Sequence, residues 1–377
     1  MDASLNEKLR SVEWGEYRVG DLFDIVNTPS FNKERLTAGD EYDYVTRTSL
    51  NQGILQGTGF VNESNLNEAN VWSLGLLQMD FFYRKRKWYA GQFVRKIIPK
   101  FDITVNSAKF FSVMLNKLKP VLMQVLVRNV DETFRSQSLC LPTKAGQIDF
   151  DFMESFIAEL EAERIAELEA YLKVSGLDNY ELSDEELKAL RDYDSMEWRE
   201  YKLGELFEVK TYKKRFDANK VTLVSKGGSP YVVRKSTENG IKGFISEDDS
   251  YLNEGNTISF GQDTATSFYQ EQPYFTGDKI KILKPKFNGF NKDNAQFFVS
   301  AITRSFSKFS WGSSSYGVDI ISNQKLALPV LNNEIAIKYI EVISKAISKL
   351  TIKDVVQYTD RRIETTKGVV TSHNTNY

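Results

Sequence analysis

The sequence predicts two tandem domains related by duplication, each followed by a long helix, and three observations carry that reading. A repeat half the chain long covers most of the 377 residues. A long amphipathic run follows each copy. An acidic connector stands between two basic regions.

The repeat opens with Ser11-Val-Glu-Trp14-Gly-Glu16-Tyr17-Arg-Val-Gly20-Asp-Leu22-Phe23, which returns as Ser195-Met-Glu-Trp198-Arg-Glu200-Tyr201-Lys-Leu-Gly204-Glu-Leu206-Phe207. The offset stays between 184 and 187 through the body of each copy. Tyr44, Val45, Arg47 and Ser49 meet Tyr231, Val232, Arg234 and Ser236, and Gly53-Ile54 meets Gly240-Ile241. Leu66-Asn67-Glu68 and Asn70 meet Leu252-Asn253-Glu254 and Asn256, while Phe82-Tyr83 meets Phe268-Tyr269. Leu139-Cys-Leu141-Pro142 closes the first copy as Leu326-Ala-Leu328-Pro329 closes the second. A unit this long is a whole domain, not a solenoid repeat. Two similar domains on one chain suit a ligand with two similar halves.

The connector from Asp151 is rich in strong helix formers. Met153, Ile157, Leu160, Ile165, Leu168 and Leu172 follow three-and-four spacing apart from one step of five, which draws one apolar stripe on a helix over about 150–174. Gly176 is placed to end it, and Ser183-Asp-Glu-Glu186 has the form of a capping box opening a short helix. The second long helix runs from Ile335 to about Lys367, with Ile340, Ile343, Ile347 and Leu350 as its stripe. Met153, Ile157, Leu160 and Leu168 are the expected partners of that stripe in an antiparallel, pseudo-twofold helix pair. The expected division is 1–148, first domain; 149–181, central helix; 182–330, second domain; 331–377, C-terminal helix and a disordered tail.

Composition narrows the chemistry. Hydrophobic residues make up 41% of the chain, enough for two cores. No apolar run approaches a membrane span and no signal-peptide core is present. The single cysteine, Cys140, fits a reducing compartment, so the expectation is a cytoplasmic protein with no membrane partner. The single histidine, His373, leaves no base for a Ser–His or Cys–His nucleophile and no zinc cluster. There is no phosphate-binding glycine loop and no Pro-Pro, so the signature of amino-methyltransferases is missing as well. Residues 149–194 carry 15 acids and 4 bases, so the remainder of this net −2 chain is +9. Basic domains on an acidic spine are what a DNA reader with a protein-binding connector shows, although a Glu-rich run alone is ordinary solvated helix.

Two variable domains, each opened by Trp-x-x-x-x-Leu/Val-Gly-Asp/Glu-Leu-Phe and followed by a long helix, resemble a specificity subunit of a type I or type IIB restriction–modification system. The resemblance spans roughly residues 11–367, including the terminal helix segment Ile347 to Ile363. It implies mixed α/β target recognition domains, each reading one half of a split site on double-stranded DNA. It also implies a helix pair that spaces the halves and docks two methyltransferase, or fused methyltransferase–nuclease, subunits. S-adenosylmethionine and catalysis would belong to those partners, with no catalytic residue, cofactor or metal in this chain.

Specific reading needs cations for phosphates and forked or amide groups for base edges. Phosphate candidates are Arg47, Arg84, Lys85, Arg86 and Lys87 in the first copy and Lys213, Lys214, Arg215 and Arg234 in the second. Base readers should differ between copies, which points to Gln78, Arg128, Asn129 and Arg135, and to Gln262, Ser313, Ser314 and Tyr316. Their divergence predicts an asymmetric target. Trp14 and Trp198, with Tyr17, Tyr201, Phe23 and Phe207, are expected in the cores. A pseudo-symmetric protein scaffold and a metal-dependent nuclease remain the competing readings at this point.

Overall fold

A computed structural model of the chain describes residues 3–125, 127–307 and 316–374. It divides into two units, residues 1–170 with 362–377 and residues 171–361. The architecture is mixed α/β, as expected.

The first unit starts with α1 (Ala3–Ser11), β1 (Glu13–Arg18), a one-turn α2 (Val19–Leu22) and β2 (Phe23–Asn27). Next come β3 (Tyr42–Val45), β4 (Ile54–Thr58), β5 (Leu66–Asn67), β6 (Val71–Gly75), β7 (Phe81–Arg84), β8 (Trp88–Ala90) and β9 (Val94–Pro99). Then follow α3 (Val105–Asn116), α4 (Lys119–Leu122), α5 (Val130–Ser136), β10 (Ser138–Lys144), β11 (Gln147–Ile148) and α6 (Phe150–Val174). One antiparallel sheet has the order β2-β9-β6-β7, and a second sheet, β4-β3-β8-β5, mixes parallel and antiparallel pairs. All five residues of β6 are buried, because α3 covers one face of its sheet. Trp72 fills that core and donates its indole N–H to Ser112 Oγ on α3 at 2.8 Å. Thr104 and Ser107 form a capping box that starts α3, and Glu154 of α6 accepts from the Ser107 N–H at 3.0 Å.

The second unit repeats this order with α7 (Asp184–Asp192), β12 (Glu197–Lys202), α8 (Leu203–Leu206), β13 (Phe207–Thr211), β14 (Ser229–Val232) and β15 (Ile241–Ile245). It continues with β16 (Thr257–Gly261), β17 (Ser267–Gln270), β18 (Phe275–Thr276), β19 (Ile280–Pro285), α9 (Lys292–Phe306), α10 (Val318–Asn323), β20 (Lys325–Leu331), β21 (Glu334–Ile335) and α11 (Ile337–Asn374), whose residues from Arg362 on belong to the first unit. Its main sheet, β13-β19-β16-β17, keeps the register of the first: Phe23 faces Pro99 and Phe207 faces Pro285. The opening and closing segments of each copy are strand partners. Trp14 pairs with Pro142, and Trp198 pairs with Pro329.

The connector helix spans Phe150–Val174, and Gly176 ends it at φ +64 with Leu177 N–H donating to the Leu172 carbonyl. Ser183 and Glu186 form the anticipated capping box on α7. The C-terminal helix is longer than the expected end near Lys367, reaching Asn374 where a disordered tail was expected.

Several expectations need correction. Trp14 and Trp198 are 38% and 36% exposed instead of buried, because β1 and β12 run with little cover on their tryptophan side. The Trp14 indole donates to the Leu9 carbonyl, and Trp198 stacks on Phe297. Phe23 and Phe207 are core as expected, while Tyr17 and Tyr201 pack partly buried against it. The helix stripes are largely consumed inside their own units. Met153 and Ile157, with Leu160 against them, pack into the first core, and Ile340 packs into the second. Ile343 is buried and Leu168 half-buried, but Ile347 and Leu350 are each 47% exposed. The first turns of a long helix that follows its domain must close that domain's core, which takes the apolar face first.

Candidate nucleic-acid interface

Each unit has a cleft at the junction of its two sheets, and the repeat places the two clefts at equivalent residues. The first, about 490 Å³, is lined by Lys33, Tyr44, Arg47, Leu77, Gln78 and Gln92 among others. The second, about 540 Å³, is lined by Arg215, Tyr231, Arg234, Asp263, Thr264 and Asp278 among others. The floors are alike. The Tyr44 hydroxyl donates to the Phe31 carbonyl at 2.6 Å, and the Tyr231 hydroxyl donates to the Phe216 carbonyl at 2.8 Å. Burial, with Glu34 and Asp217 nearby, pushes both phenols above their ordinary value, so each stays a protonated donor.

One wall of each cleft follows from a strained loop. Asn51, Gln52 and Gly53 all take left-handed φ, as do Glu238, Asn239 and Gly240. The loop closes through Thr46 N–H to the Gly53 carbonyl, and through Val233 N–H to the Gly240 carbonyl, both at 2.8 Å. This holds Arg47 and Arg234 at the rim.

The run Arg84–Lys87 does not act as one cationic patch. Arg84 is 2% exposed and bonds Ser73 Oγ and the Gln52 carbonyl, so it is a buried brace and not a phosphate ligand. Both faces of β7 are covered: Phe81 lies in the core under α3, while Arg84, on the opposite face with Phe82, is buried against Ser73 and Gln52. Arg86 pairs with Asp43 and donates to the Asp40 carbonyl, and Lys87 lies 3.4 Å from Glu68. Lys85 is exposed and has no ion-pair partner among the described residues. In the second unit, Lys213 donates to the Ser250 carbonyl, and Lys214 stands 4.1 Å over the Tyr251 ring. Arg215 lies 3.5 Å from Asp278, and Arg234 is paired to Asp263.

The base-reading candidates divide similarly. Gln78 lines the first cleft, and Arg128 and Asn129 are exposed in the turn just before α5. Arg135 instead clamps the Ile25 carbonyl at 3.1 Å. Gln262 Nε2 donates to the Tyr316 carbonyl at 2.7 Å, so its amide is spent on holding that segment. Tyr316 packs edge-on against Phe260 and Phe306. Ser313 and Ser314 lie outside the described residues. Sequence reasoning missed Gln92 and Asp278 on the cleft walls and Phe93 and Lys279 beside them. Their one available signal was adjacency to the repeated Gly91 and Gly277. Among the described residues no cluster of His, Cys, Asp and Glu is able to hold a metal ion, and no helix is long and apolar enough to cross a membrane.

Comparison with known proteins gives the same duplicated picture. The family profile of the type I restriction modification DNA specificity domain matches twice, over residues 11–170 and 195–358. The specificity subunit S.BcgI of a type II restriction enzyme from Heyndrickxia coagulans is 21% identical over 305 residues, covering 80% of this chain and 84% of that one. The S subunit of a type I restriction–modification system from M. genitalium has a similar fold at a TM-score of 0.58, with 14% identity, covering 95% of this chain and 94% of that one.

Proposed function

The chain belongs to the type I restriction modification DNA specificity family, a family of non-catalytic recognition subunits, and from that premise we propose that it reads a bipartite, asymmetric target on double-stranded DNA. Each unit reads one half-site through its cleft rim, and α6 and α11 dock methyltransferase, or fused methyltransferase–nuclease, subunits, two per chain. S-adenosylmethionine would be bound by those partners.

The observation that carries this reading is the pair of equivalent clefts with one shared backbone and two different linings. A duplicated scaffold accounts for two half-sites, and divergent linings account for different sequences in each. Phosphate contacts supply affinity and base-edge contacts supply sequence. A scaffold binding two identical proteins gives no reason for the linings to diverge.

The test is to purify the chain with its methyltransferase and map methylated adenines on genomic DNA. A split motif with a fixed gap is expected, its first half changing when residues 1–148 are exchanged and its second when 195–330 are exchanged. A complex that forms but methylates no defined motif would leave the protein scaffold as the better account.

A further inference from the structure

One place in the two units keeps its backbone and changes its chemistry. In the first unit Arg47, Leu77 and Phe93 come from three separate loops. The Arg47 guanidinium lies 5.1 Å over the Phe93 ring, and Leu77 lines the same cleft. The counterparts in the second unit are Arg234, Asp263 and Lys279. Leu76 N–H donates to the Phe93 carbonyl and Gln262 N–H to the Lys279 carbonyl, both at 2.9 Å. Phe93 and Lys279 share a left-handed φ, 60° and 57°. The side chains alone differ. Arg234 Nη1 donates to Asp263 Oδ2, and the Lys279 ammonium reaches the same oxygen at 2.9 Å.

Two cations share the Asp263 carboxylate, so the cluster keeps a net charge of +1, but the carboxylate occupies one edge of the Arg234 guanidinium and weakens its pull on a second anion more than on a neutral acceptor. Guanine is a different matter. Its O6 and N7 are neutral acceptors that match the guanidinium fork. The carboxylate also fixes the arginine rotamer before binding, so less side-chain freedom is lost on contact. Among the described residues, Arg234 makes no hydrogen bond other than the one to Asp263, which leaves its Nε–Nη2 edge for a ligand. All three side chains are accessible, Arg234 at 34%, Asp263 at 27% and Lys279 at 45%.

We propose that Arg234, positioned by Asp263, reads a guanine in the second half-site, whereas its counterpart Arg47 contacts phosphate. Arg47 lies over an aromatic ring and has no ion-pair partner among the described residues. The proposal rests on the DNA-reading function argued above.

The experiment titrates the complex of the full chain and its methyltransferase with a duplex carrying the mapped motif and with every single base-pair change in the second half. For the wild type, replacing one G·C pair costs about 10- to 100-fold in affinity. Arg234→Ala erases the preference at that pair alone and leaves the slope of log K against log salt unchanged. Asp263→Asn weakens the same preference, raises affinity for unrelated DNA and steepens the salt slope by up to about one. Arg47→Ala weakens every duplex alike and flattens the slope by about 0.9. Arg234→Lys, which keeps the charge and loses the fork, serves if the alanine variant fails to fold, and it should lose the guanine preference as well. Equal weakening of all duplexes by either Arg234 variant, with a flatter slope, would make it a phosphate contact and overturn the proposal, as would undiminished discrimination. A wild-type complex that prefers no duplex would instead refute the DNA-reading function itself.

Discussion

The Arg84 guanidinium and the Gln270 carboxamide make the same two hydrogen bonds in the two units. Arg84 Nε donates to Ser73 Oγ at 2.9 Å and its Nη2 to the Gln52 carbonyl; Gln270 Nε2 donates to Ser259 Oγ at 3.0 Å and to the Asn239 carbonyl at 2.9 Å. Both brace the left-handed loop that carries the cleft-rim arginine. The second unit therefore shows that this job needs a donor and not a charge.

The consequence for stability is specific. Burial lowers the Arg84 guanidinium from its ordinary value to about 10, with the Asp43 charge opposing part of that. The folded chain thus disfavours the charged form. That penalty is fully present below about pH 10 and is relieved as pH rises from there toward the ordinary guanidinium value, so this residue makes stability rise with pH in that window. Arg84→Gln should remove the pH-linked penalty and cost less than ~1 kcal/mol. Arg84→Ala leaves two buried acceptors unmet beside a cavity and should cost about 3 kcal/mol. Denaturant unfolding of both variants against the wild type decides the point, and equal losses would refute it.

Glu186 and Lys349 make a second test. The Lys349 ammonium of α11 donates to Glu186 Oε2 of α7 at 2.8 Å, with the carboxylate side chain 8% exposed. Burial alone would raise this carboxyl, but the Lys349 bond and the Ser183 N–H outweigh it and hold it below its ordinary value. A carboxyl with a depressed folded pKa contributes stability above its unfolded pKa of about 4.5, lost as pH falls through the lower folded value. Lys349→Met strands the buried carboxylate and should destabilise by about 3 kcal/mol at pH 7. The deficit should shrink on acidification, as Glu186 becomes neutral in the variant. A deficit independent of pH from 7 to 4 would show that lost packing, not charge, was responsible.

Lys85 and Arg86 are neighbours with different roles. Lys85→Ala should lower affinity for all DNA and flatten the salt slope by about 0.9, with no change in melting temperature. Arg86→Ala removes the partner of Asp43, a carboxylate whose side chain is 13% exposed, and should cost about 1–2 kcal/mol of stability. Binding isotherms across a salt series and thermal melts separate the two. A single shared phenotype would mean the turn works as one patch.

Legibility in the sequence followed the range of the interaction. The repeat, the helix at 150–174 and the Ser183–Glu186 box were readable because self-similarity, apolar spacing and capping are local patterns. α1 was missed: nine residues with Leu5 as their one buried side chain give little periodicity. Trp14 was misread because a repeated large aromatic suggests a core, whereas burial depends on what the strand is laid against. Arg84 opens a run of four cations and so looks like surface, whereas it lies on the covered second face of β7, against Ser73 and the Gln52 loop. The Arg234–Asp263–Lys279 cluster joins positions 29 and 16 residues from one another. No local pattern encodes it, and the difference between the copies was its one trace.

Gly75 provides the sharpest separation of the half-sites. A Cβ at Gly75 would stand 2.9 Å from Arg47 Cα and 3.2 Å from Arg47 C, both backbone atoms that cannot rotate away. At the equivalent Gly261 the nearest atoms are the Thr264 and Thr266 hydroxyls, which can swing clear, while the Arg234 side chain is 3.6 Å off. Gly75→Ala should therefore push the Arg47 loop outward and weaken binding at the first half-site by tenfold or more, leaving discrimination at the second intact. Gly261→Ala should leave both half-sites within about threefold of the wild type, since rotating a hydroxyl costs on the order of 1 kcal/mol. The measurement is affinity for duplexes altered in one half at a time. If Gly75→Ala relaxed both halves equally, the change would be spreading through the whole chain, and the cleft rim of the first unit would not be its independent reading surface.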